Sequence, residues 1–271
     1  MHRLFIPFFK RLDGGYVNEA MELIEYKNLA FREKFFWWNV GRRRILRDVL
    51  RRNLVYSSGL KILDVGCGPG GNMLFLKDFG EVTGLDASDE ALVYAREFSY
   101  RDLVLGSATD IPFSENSFDC VVALDVIEHI EDDRKAFSEM FRVLKPGGVL
   151  LLTVPAYQWM WSSHDEVLHH KRRYQKKELH VKIKGAGFLI VEASHFVFPS
   201  IPFRAGRLLI QKIRSSFGAS APKAPQTDDV LLPVFLNTIF IFWLTLERYF
   251  IKVFPLPWGS SLLVLAKKPA I

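Results

Sequence analysis

A short apolar run followed by closely spaced glycines constrains the fold of this chain more than any other feature. The segment is Lys61-Ile-Leu-Asp-Val-Gly-Cys-Gly-Pro-Gly-Gly71. Its apolar residues predict a buried strand, and its glycines predict a turn whose backbone can approach a ligand closely because no Cβ intervenes. A second apolar run ends at Asp86, where nucleotide-binding α/β folds place an acidic group for ribose hydroxyls. The sequence therefore predicts a site for a ligand that carries a ribose.

Short apolar runs recur along the chain, with helix-length segments between them. They lie at 61–65, 81–85, 102–105, 118–124, 148–154, 188–197 and 261–267. Alternation of this kind is typical of βαβ units. We expect an α/β fold with a doubly wound, mostly parallel seven-stranded sheet, in which Lys145-Pro-Gly-Gly148 is a turn before the fifth strand.

The segments that flank this pattern define the expected domains. A helical N-terminal cap covers 1–57 and includes a basic helix from about 41 to 54. The core covers 58–197, a helical insertion covers 198–259, and the final strand and tail cover 260–271. The insertion joins a basic amphipathic stretch at 203–214, a Pro/Ala/Ser linker at 218–229 and a very apolar stretch at 230–246.

Composition narrows the class of protein. The net charge is +6, and the basic clusters suit phosphate, an anionic membrane surface or a solvated helix face. No stacked-aromatic repeat accompanies them, which argues against nucleic acid as a partner. Two cysteines without metal or disulfide spacing indicate a reducing compartment, and the N-terminal apolar run is too short for a secretory signal. We expect a cytoplasmic protein.

Three kinds of nucleotide site compete for the glycine turn. A phosphate-binding loop fails because no Gly-Lys-Ser/Thr follows the glycines. A nicotinamide-dependent oxidoreductase is compatible with Gly66-x-Gly68-x-x-Gly71, but a pyrophosphate would be repelled by Asp64 inside the strand. A cationic amino acid with a sulfonium would be attracted to Asp64, which favours S-adenosylmethionine (SAM) as the cofactor.

The chain resembles the class I SAM-dependent methyltransferases, particularly the type 11 group that includes quinone-biosynthesis methyltransferases. The resemblance covers about 60 to 195 and the final strand. It rests on five motifs in family order, namely Leu63-Asp-Val-Gly-Cys-Gly-Pro-Gly70, Gly84-Leu-Asp86, Gly106-Ser-Ala-Thr-Asp-Ile-Pro-Phe113, Ser117-Phe-Asp-Cys-Val-Val-Ala-Leu124 with Glu128-His129, and Leu144-Lys-Pro-Gly-Gly148.

The resemblance implies a role for each matching residue. The backbone at Gly66, Gly68 and Gly70 would cradle the methionine part of SAM, with Asp64 near its ammonium group. Asp86 would bind the ribose hydroxyls. The remaining cofactor-binding residues would be Ala87 against the adenine, Ser107 and Ala108 around its amino group, and Leu124 and Asp125 at the end of the fourth strand. Ser107 stands where the family usually has Asp.

Two histidines are candidate general bases. His129 follows the fourth strand at the edge of the sheet where ligands bind, and His164 stands beside Asp165. The segment after the fifth strand would bind the acceptor through Tyr157, His169, Arg172, Arg173 and Tyr174. No set of Asp, Glu or Cys residues accompanies these histidines in the sequence, so we expect no metal site.

The apolar stretch at 230–246 has nearly the length of a membrane span. A single crossing would separate the strands before and after the insertion, which should pair in one sheet. We therefore expect 203–254 to dock on a membrane surface, with a homodimer contact or an intramolecular lid as alternatives. The predicted function is methyl transfer from SAM to a lipid or lipid-linked glycan at the inner face of the membrane. A non-catalytic SAM-binding membrane scaffold is the alternative from another class.

Overall fold

Seven strands form one sheet in the order β3-β2-β1-β4-β5-β7-β6. The computed structural model describes residues 34–54, 59–97, 102–198, 201, 206 and 233–270. The strands are β1 (Leu60–Val65), β2 (Gly80–Asp86), β3 (Asp102–Leu105), β4 (Phe118–Leu124), β5 (Leu144–Pro155), β6 (Leu189–Phe196) and β7 (Ser261–Lys267). Neighbouring strands from β3 to β5 are parallel, and β7 is antiparallel to both of its neighbours. The predicted doubly wound, mostly parallel sheet is confirmed.

Helices cover both faces of the sheet. They are α1 (Trp37–Asn53), α2 (Met73–Leu76), α3 (Asp89–Glu97), α4 (Asp133–Val143), α5 (Ser163–Val167), α6 (Lys176–Gly185) and α7 (Val234–Val253). One apolar cluster contains buried residues of α4 and α6, and a second contains buried residues of α1, α2 and α7. Because parallel sheets are stable only with both faces covered, the two clusters together form the core.

β5 begins earlier than the sequence pattern predicts. The expected turn at 145–148 lies inside the strand, where Gly147 has a φ of +78° and the register with β4 shifts between Phe118 and Cys120. The Gly147 N–H donates to the carbonyl of Lys268 at 2.9 Å, and the Lys268 N–H donates to the carbonyl of Gly148 at 2.9 Å. The C-terminal tail thus extends the ladder that an isolated turn would have ended.

The last helix of the insertion, α7, packs along α1 in the N-terminal part of the chain. The Trp37 N–H donates to Asn237 Oδ1 at 2.8 Å, and Lys252 Nζ lies 3.1 Å from Asp48 Oδ2. A Cβ at Gly41 would lie 2.2 Å from a Leu244 methyl carbon, so the two helices approach closely there. Residues 1–33 of the expected cap and nearly all of the basic stretch and linker lie outside the described residues.

The strand order places the site. β1 and β4 are neighbours in the middle of the sheet, and their connections leave toward opposite edges. Ligands of open α/β sheets bind at such a switch point, beyond the carboxyl ends of the strands. The glycine turn after β1 and the segment after β4 both begin there.

Candidate functional site

The glycine turn exposes its backbone at the end of β1. Gly66, Gly68 and Gly70 have φ values of +66°, +53° and +100°, a region that L side chains rarely adopt. A Cβ at Gly66 would lie 2.5 Å from Val126 Cγ2, whereas a Cβ at Gly68 would have no atom within 4 Å. Gly66 is therefore needed for packing, and Gly68 leaves open space beside the main chain.

Asp64 lies at the base of this turn and is fully buried. Its Oδ1 accepts a hydrogen bond from Asn72 Nδ2 at 3.2 Å. Asn72 is a residue that the sequence analysis did not single out. Burial, with Asp64 next in effect, raises the pKa of the Cys67 thiol, so Cys67 is a protonated, buried packing residue.

The main chain holds the Asp86 carboxylate in place. Its Oδ2 accepts from the Gly68 N–H at 2.8 Å and its Oδ1 from the Ser88 N–H at 2.9 Å. An ionised carboxylate has about four acceptor sites, so each oxygen keeps a site for a ribose hydroxyl. Ala87, which follows it, is exposed.

Ser107 is engaged in its own turn. Its Oγ lies 2.8 Å from Thr109 Oγ1 and accepts from the Thr109 N–H at 3.2 Å. Ala108 is half-buried against the core. The Ser107 hydroxyl therefore stabilises the loop, and the expected contact between that hydroxyl and adenine has no support in this geometry.

Leu124 and Asp125 mark the carboxyl end of β4. Leu124 is buried, and Asp125 adopts a φ of +56°, which turns the chain out of the strand. Its carboxylate accepts from Thr153 Oγ1 at 3.0 Å and forms an ion pair with Arg42 of α1. In the sequence, Arg42 is only one residue of a basic cluster, and no local pattern links it to β4.

Glu128 is the main site residue whose burial the sequence did not show. It lies in the 3₁₀ helix Ile127–His129. It is fully buried, and neither carboxylate oxygen has a hydrogen-bond partner among the described residues. Burial, and then the charge of Asp125, raise the pKa of Glu128 well above its usual range.

His129 faces a second histidine across the site. Its ring centroid lies 4.7 Å from that of His170, and part of the ring is exposed. Burial of the rest of the ring, followed by the neighbouring His170, lowers the pKa of His129 to about 4. His129 is therefore neutral near pH 7 and has a lone pair available to a proton or a metal ion.

The Asp165 carboxylate binds His170 and Arg173, two partners that the sequence did not indicate. Its Oδ1 lies 2.9 Å from His170 Nδ1, and Arg173 donates to both of its oxygens at 2.7 and 2.9 Å. Burial by itself would raise the pKa of Asp165, but the hydrogen bonds from His170 and Arg173 hold it well below its usual range. The ring of His164 lies edge-on to His170 at 6.5 Å.

Tyr174 and Arg173 are structural residues, which corrects their assignment to acceptor binding. Tyr174 is fully buried, and its hydroxyl donates to Asp133 Oδ2 at 2.8 Å. Arg172 Nη1 and Lys182 Nζ lie 3.3 and 2.6 Å from the same oxygen. These contacts fasten the segment after β5 to α4 and α6, because each partner is already taken inside the protein.

Tyr157 and His169 both have left-handed backbone conformations in the segment after β5. Tyr157 adopts a φ of +59° and stacks on His195 with a centroid separation of 5.2 Å and an interplanar angle of 7°. His169 is exposed with a φ of +56°. Tyr157 and His169 remain predictions as acceptor-binding residues, and His195 of β6 is an addition that the sequence did not reveal.

The comparison with known families agrees with this geometry. Residues 63–152, which contain the glycine turn, Asp86, Asp125 and Glu128, match the family described as a methyltransferase domain. These residues form a methyltransferase domain of the type 11 group. Its cofactor is SAM.

Relatives in two acceptor classes resemble the chain. A demethylmenaquinone methyltransferase from Staphylococcus aureus is 31% identical over 60% of this chain and 65% of its own length. A sterol 24-C-methyltransferase from Gibberella zeae is 34% identical over 56% of this chain and 42% of its own length. The chain thus spans less than two thirds of the length of these relatives.

A solved structure shows the same fold with a cofactor product bound. Phosphoethanolamine N-methyltransferase 2 from Haemonchus contortus, in complex with phosphomonomethylethanolamine and S-adenosylhomocysteine, superposes with a TM-score of 0.54. The match covers 83% of this chain and 52% of that one, at 24% identity. At this identity the likeness concerns the fold alone.

Proposed function

We propose that the protein transfers a methyl group from SAM to a lipid or lipid-linked acceptor at the cytoplasmic surface of a membrane. The observation that carries this proposal is the exposed apolar side of α7. Large apolar side chains are more than half exposed along this helix at Val234 (83%), Phe235 (64%), Phe242 (60%) and Val253 (80%). Soluble monomers rarely expose apolar patches of this size without a partner.

Length and composition make α7 compatible with a bilayer. The helix has 20 residues. An 18-residue stretch of it has a mean hydropathy of 1.4, and only 17% of that stretch is buried inside the protein. Trp243, Tyr249 and Trp258 are exposed on or beside it, as aromatic side chains at membrane interfaces are.

The strand pairing supports a helix that lies along the membrane instead of crossing it. β6 precedes the insertion and β7 follows it, and the two pair from Leu189↔Lys267 to Phe196↔Ser261. A single crossing would put these partners on opposite sides of the bilayer. An interfacial helix buries its apolar side by about 5–10 Å and needs no second span.

α7 is also connected to the reaction site. It packs on α1, and Arg42 of α1 pairs with Asp125 at the carboxyl end of β4. An acceptor that enters from the bilayer would meet the cofactor beside this helix pair. The relatives point the same way, since their names give a sterol and demethylmenaquinone, both apolar molecules, as acceptors.

The reaction depends mainly on the alignment of the acceptor atom with the methyl group of SAM. The acceptor atom attacks the methyl carbon of SAM in line with the departing sulfur, the sulfonium becomes a neutral thioether, and the acceptor loses a proton. In the proposed site the glycine turn and Asp86 fix the donor. We assign the neutral ring of His129 as the proton acceptor, and its lowered pKa suits an acceptor that is already acidic.

Vesicle flotation tests the membrane surface. The wild type should float with vesicles that contain phosphatidylglycerol, and a Phe235→Ser/Phe242→Ser variant should lose most of this binding. Val181→Ser is the matched control, because Val181 of α6 is 68% exposed on another helix. Equal flotation of the wild type and the double variant would refute the membrane surface. Loss of a dimer from the double variant, seen by light scattering without any vesicle binding, would assign α7 to self-association.

Single-turnover methyl transfer tests the reaction. Labelled SAM and a lipid extract from the source cells should give a labelled lipid with the wild type and much less with the double variant. SAM binding with no labelled product from any extract would favour the SAM-binding scaffold instead.

A further inference from the structure

Three potential metal ligands meet next to the carboxyl end of β4. They are a carboxylate oxygen of Glu128, a ring nitrogen of His129 and a ring nitrogen of His170, all within 4.8 Å of one another. Ligand atoms about 2.1 Å from a zinc ion lie about 3–4 Å apart, so small side-chain rotations complete the set. The chain brings the two segments together through the Lys171 N–H, which donates to the Glu128 carbonyl at 2.7 Å.

The unsatisfied carboxylate of Glu128 is the second observation. A fully buried carboxylate normally accepts several hydrogen bonds, because burying its oxygens without partners is energetically unfavourable. Both Glu128 oxygens lack such partners among the described residues. A cation bound between the three side chains would satisfy them.

The surroundings of His170 are those of a metal ligand. Its Nδ1 lies 2.9 Å from the buried Asp165 carboxylate, an arrangement that fixes the proton on Nδ1 and leaves the lone pair of Nε2 for a metal. Arg173 and Ser162 in turn hold Asp165. Ligating histidines in proteins almost always have such a carboxylate or carbonyl partner.

Local charge also permits a cation. Two guanidinium groups act on Glu128, those of Arg173 and Arg42. Each of them is already paired with a carboxylate, Arg173 with Asp165 and Arg42 with Asp125. With Glu128 ionised, the cluster keeps one uncompensated negative charge, so a divalent ion would find attraction here.

We propose that Glu128, His129 and His170 form a binding site for a divalent transition metal of the zinc type. Two imidazoles and one carboxylate are a ligand set that zinc and its neighbours prefer, whereas Mg²⁺ prefers oxygen ligands and water. Three protein ligands leave a fourth position, and His129 is exposed to solvent. On the proposed function, this fourth position would bind an acceptor oxygen and lower the pKa of its hydroxyl, and the proton would pass to solvent before methyl transfer. His129 would then act as a metal ligand in place of its role as a base.

Direct metal binding tests the site without any turnover. The full chain, stripped with a chelator and dialysed against Zn²⁺, should retain about one zinc per chain by mass spectrometric metal analysis and should bind Mg²⁺ far more weakly. Removing a ligand should cost at least the 10–100-fold that the loss of a supporting residue costs. We therefore expect Glu128→Gln and His129→Ala to lower zinc affinity by about 100-fold, and Zn²⁺ to raise their melting temperatures less than that of the wild type.

His180→Ala is the matched control, because His180 lies on α6 and is not one of the three grouped ligands, and it should bind zinc as the wild type does. His129 is partly exposed, so His129→Ala should keep its fold even if Glu128→Gln does not. Zinc retention below about one tenth per chain, or equal zinc affinity in His129→Ala and the wild type, would overturn the site. Lipid methylation by a chain that binds no zinc would reject this inference alone, whereas zinc binding without any methylation would reject only the proposed function.

Discussion

Around β1 and β2 the site consists mainly of main-chain groups, whereas after β4 and β5 it consists of charged side chains. The glycine half, residues 64–88, fixes Asp86 with two backbone N–H groups. The histidine half, residues 125–129 and 157–174, is held by the ion pairs of Asp165 and Asp133. A backbone cradle needs only glycines in sequence, but an ion pair needs partners from distant segments.

This difference predicts which property a substitution should change, cofactor binding or folding. In the glycine half a new side chain should disturb the cofactor, since the space beside the backbone is what the turn provides. In the histidine half the loss of a side chain should disturb folding, because a buried charge loses its partner.

The largest effect is expected from Arg173→Ala. It leaves the Asp165 carboxylate buried next to His170 without its guanidinium partner, which should lower the free energy of unfolding by about 3–5 kcal/mol. Urea unfolding measures the loss. Arg172→Ala is the control, because Arg172 is partly exposed and Lys182 still pairs with Asp133. We expect it to lose less than about 1 kcal/mol, and equal losses would break the comparison.

The next effect separates two glycines of the same turn. Gly66→Ala combines a strained positive φ with a contact 2.5 Å from Val126, so it should destabilise the protein by about 2–4 kcal/mol. Gly68→Ala has the strain but no neighbour within 4 Å, so it should cost about 1–2 kcal/mol of stability and weaken SAM binding through its methyl group. Thermal unfolding measures the stability of each variant, and calorimetric titration measures its affinity for SAM. The reverse order of stability would contradict the packing at Gly66.

A smaller effect is expected from Asp86→Ala. Charge-assisted hydrogen bonds to ribose hydroxyls are worth about 1.5–3 kcal/mol, so SAM affinity should fall by at least about 10-fold. Asp86→Asn keeps one acceptor oxygen and should bind with intermediate affinity. Calorimetric titration would compare the SAM affinities of the wild type, Asp86→Asn and Asp86→Ala. Unchanged affinity in Asp86→Ala would overturn the assignment of Asp86 to the ribose.

The smallest effect is expected from Ser107→Ala. Its hydroxyl is already bonded to Thr109, so SAM affinity should change by less than about 0.5 kcal/mol, as for ordinary surface substitutions. Isothermal titration of the variant beside the wild type is sufficient. A loss of more than about threefold would instead restore the contact between Ser107 and adenine that the sequence resemblance implied.

The sequence by itself determined the sheet and the donor side of the site. Seven short apolar runs predicted all seven strands, because strands of a sheet with both faces covered are rich in apolar residues. The glycines and Asp86 were found for a similar reason. A tight turn and its ligand contacts are encoded within a few consecutive residues, so no distant partner is needed to recognise them.

Only the tertiary structure decided the other half. The ion pair between Arg42 and Asp125 joins segments that lie far apart in the chain. The contact of Asp165 with His170 and the burial of Glu128 depend on how the segments after β4 and β5 pack against each other. Sequence spacing carries no information on which charges will meet, since an ion pair depends on where two elements pack in space. Adjacency in the sequence suggested His164 as the partner of Asp165, whereas the contacts of Asp165 with His170 and Arg173 became visible only in the fold.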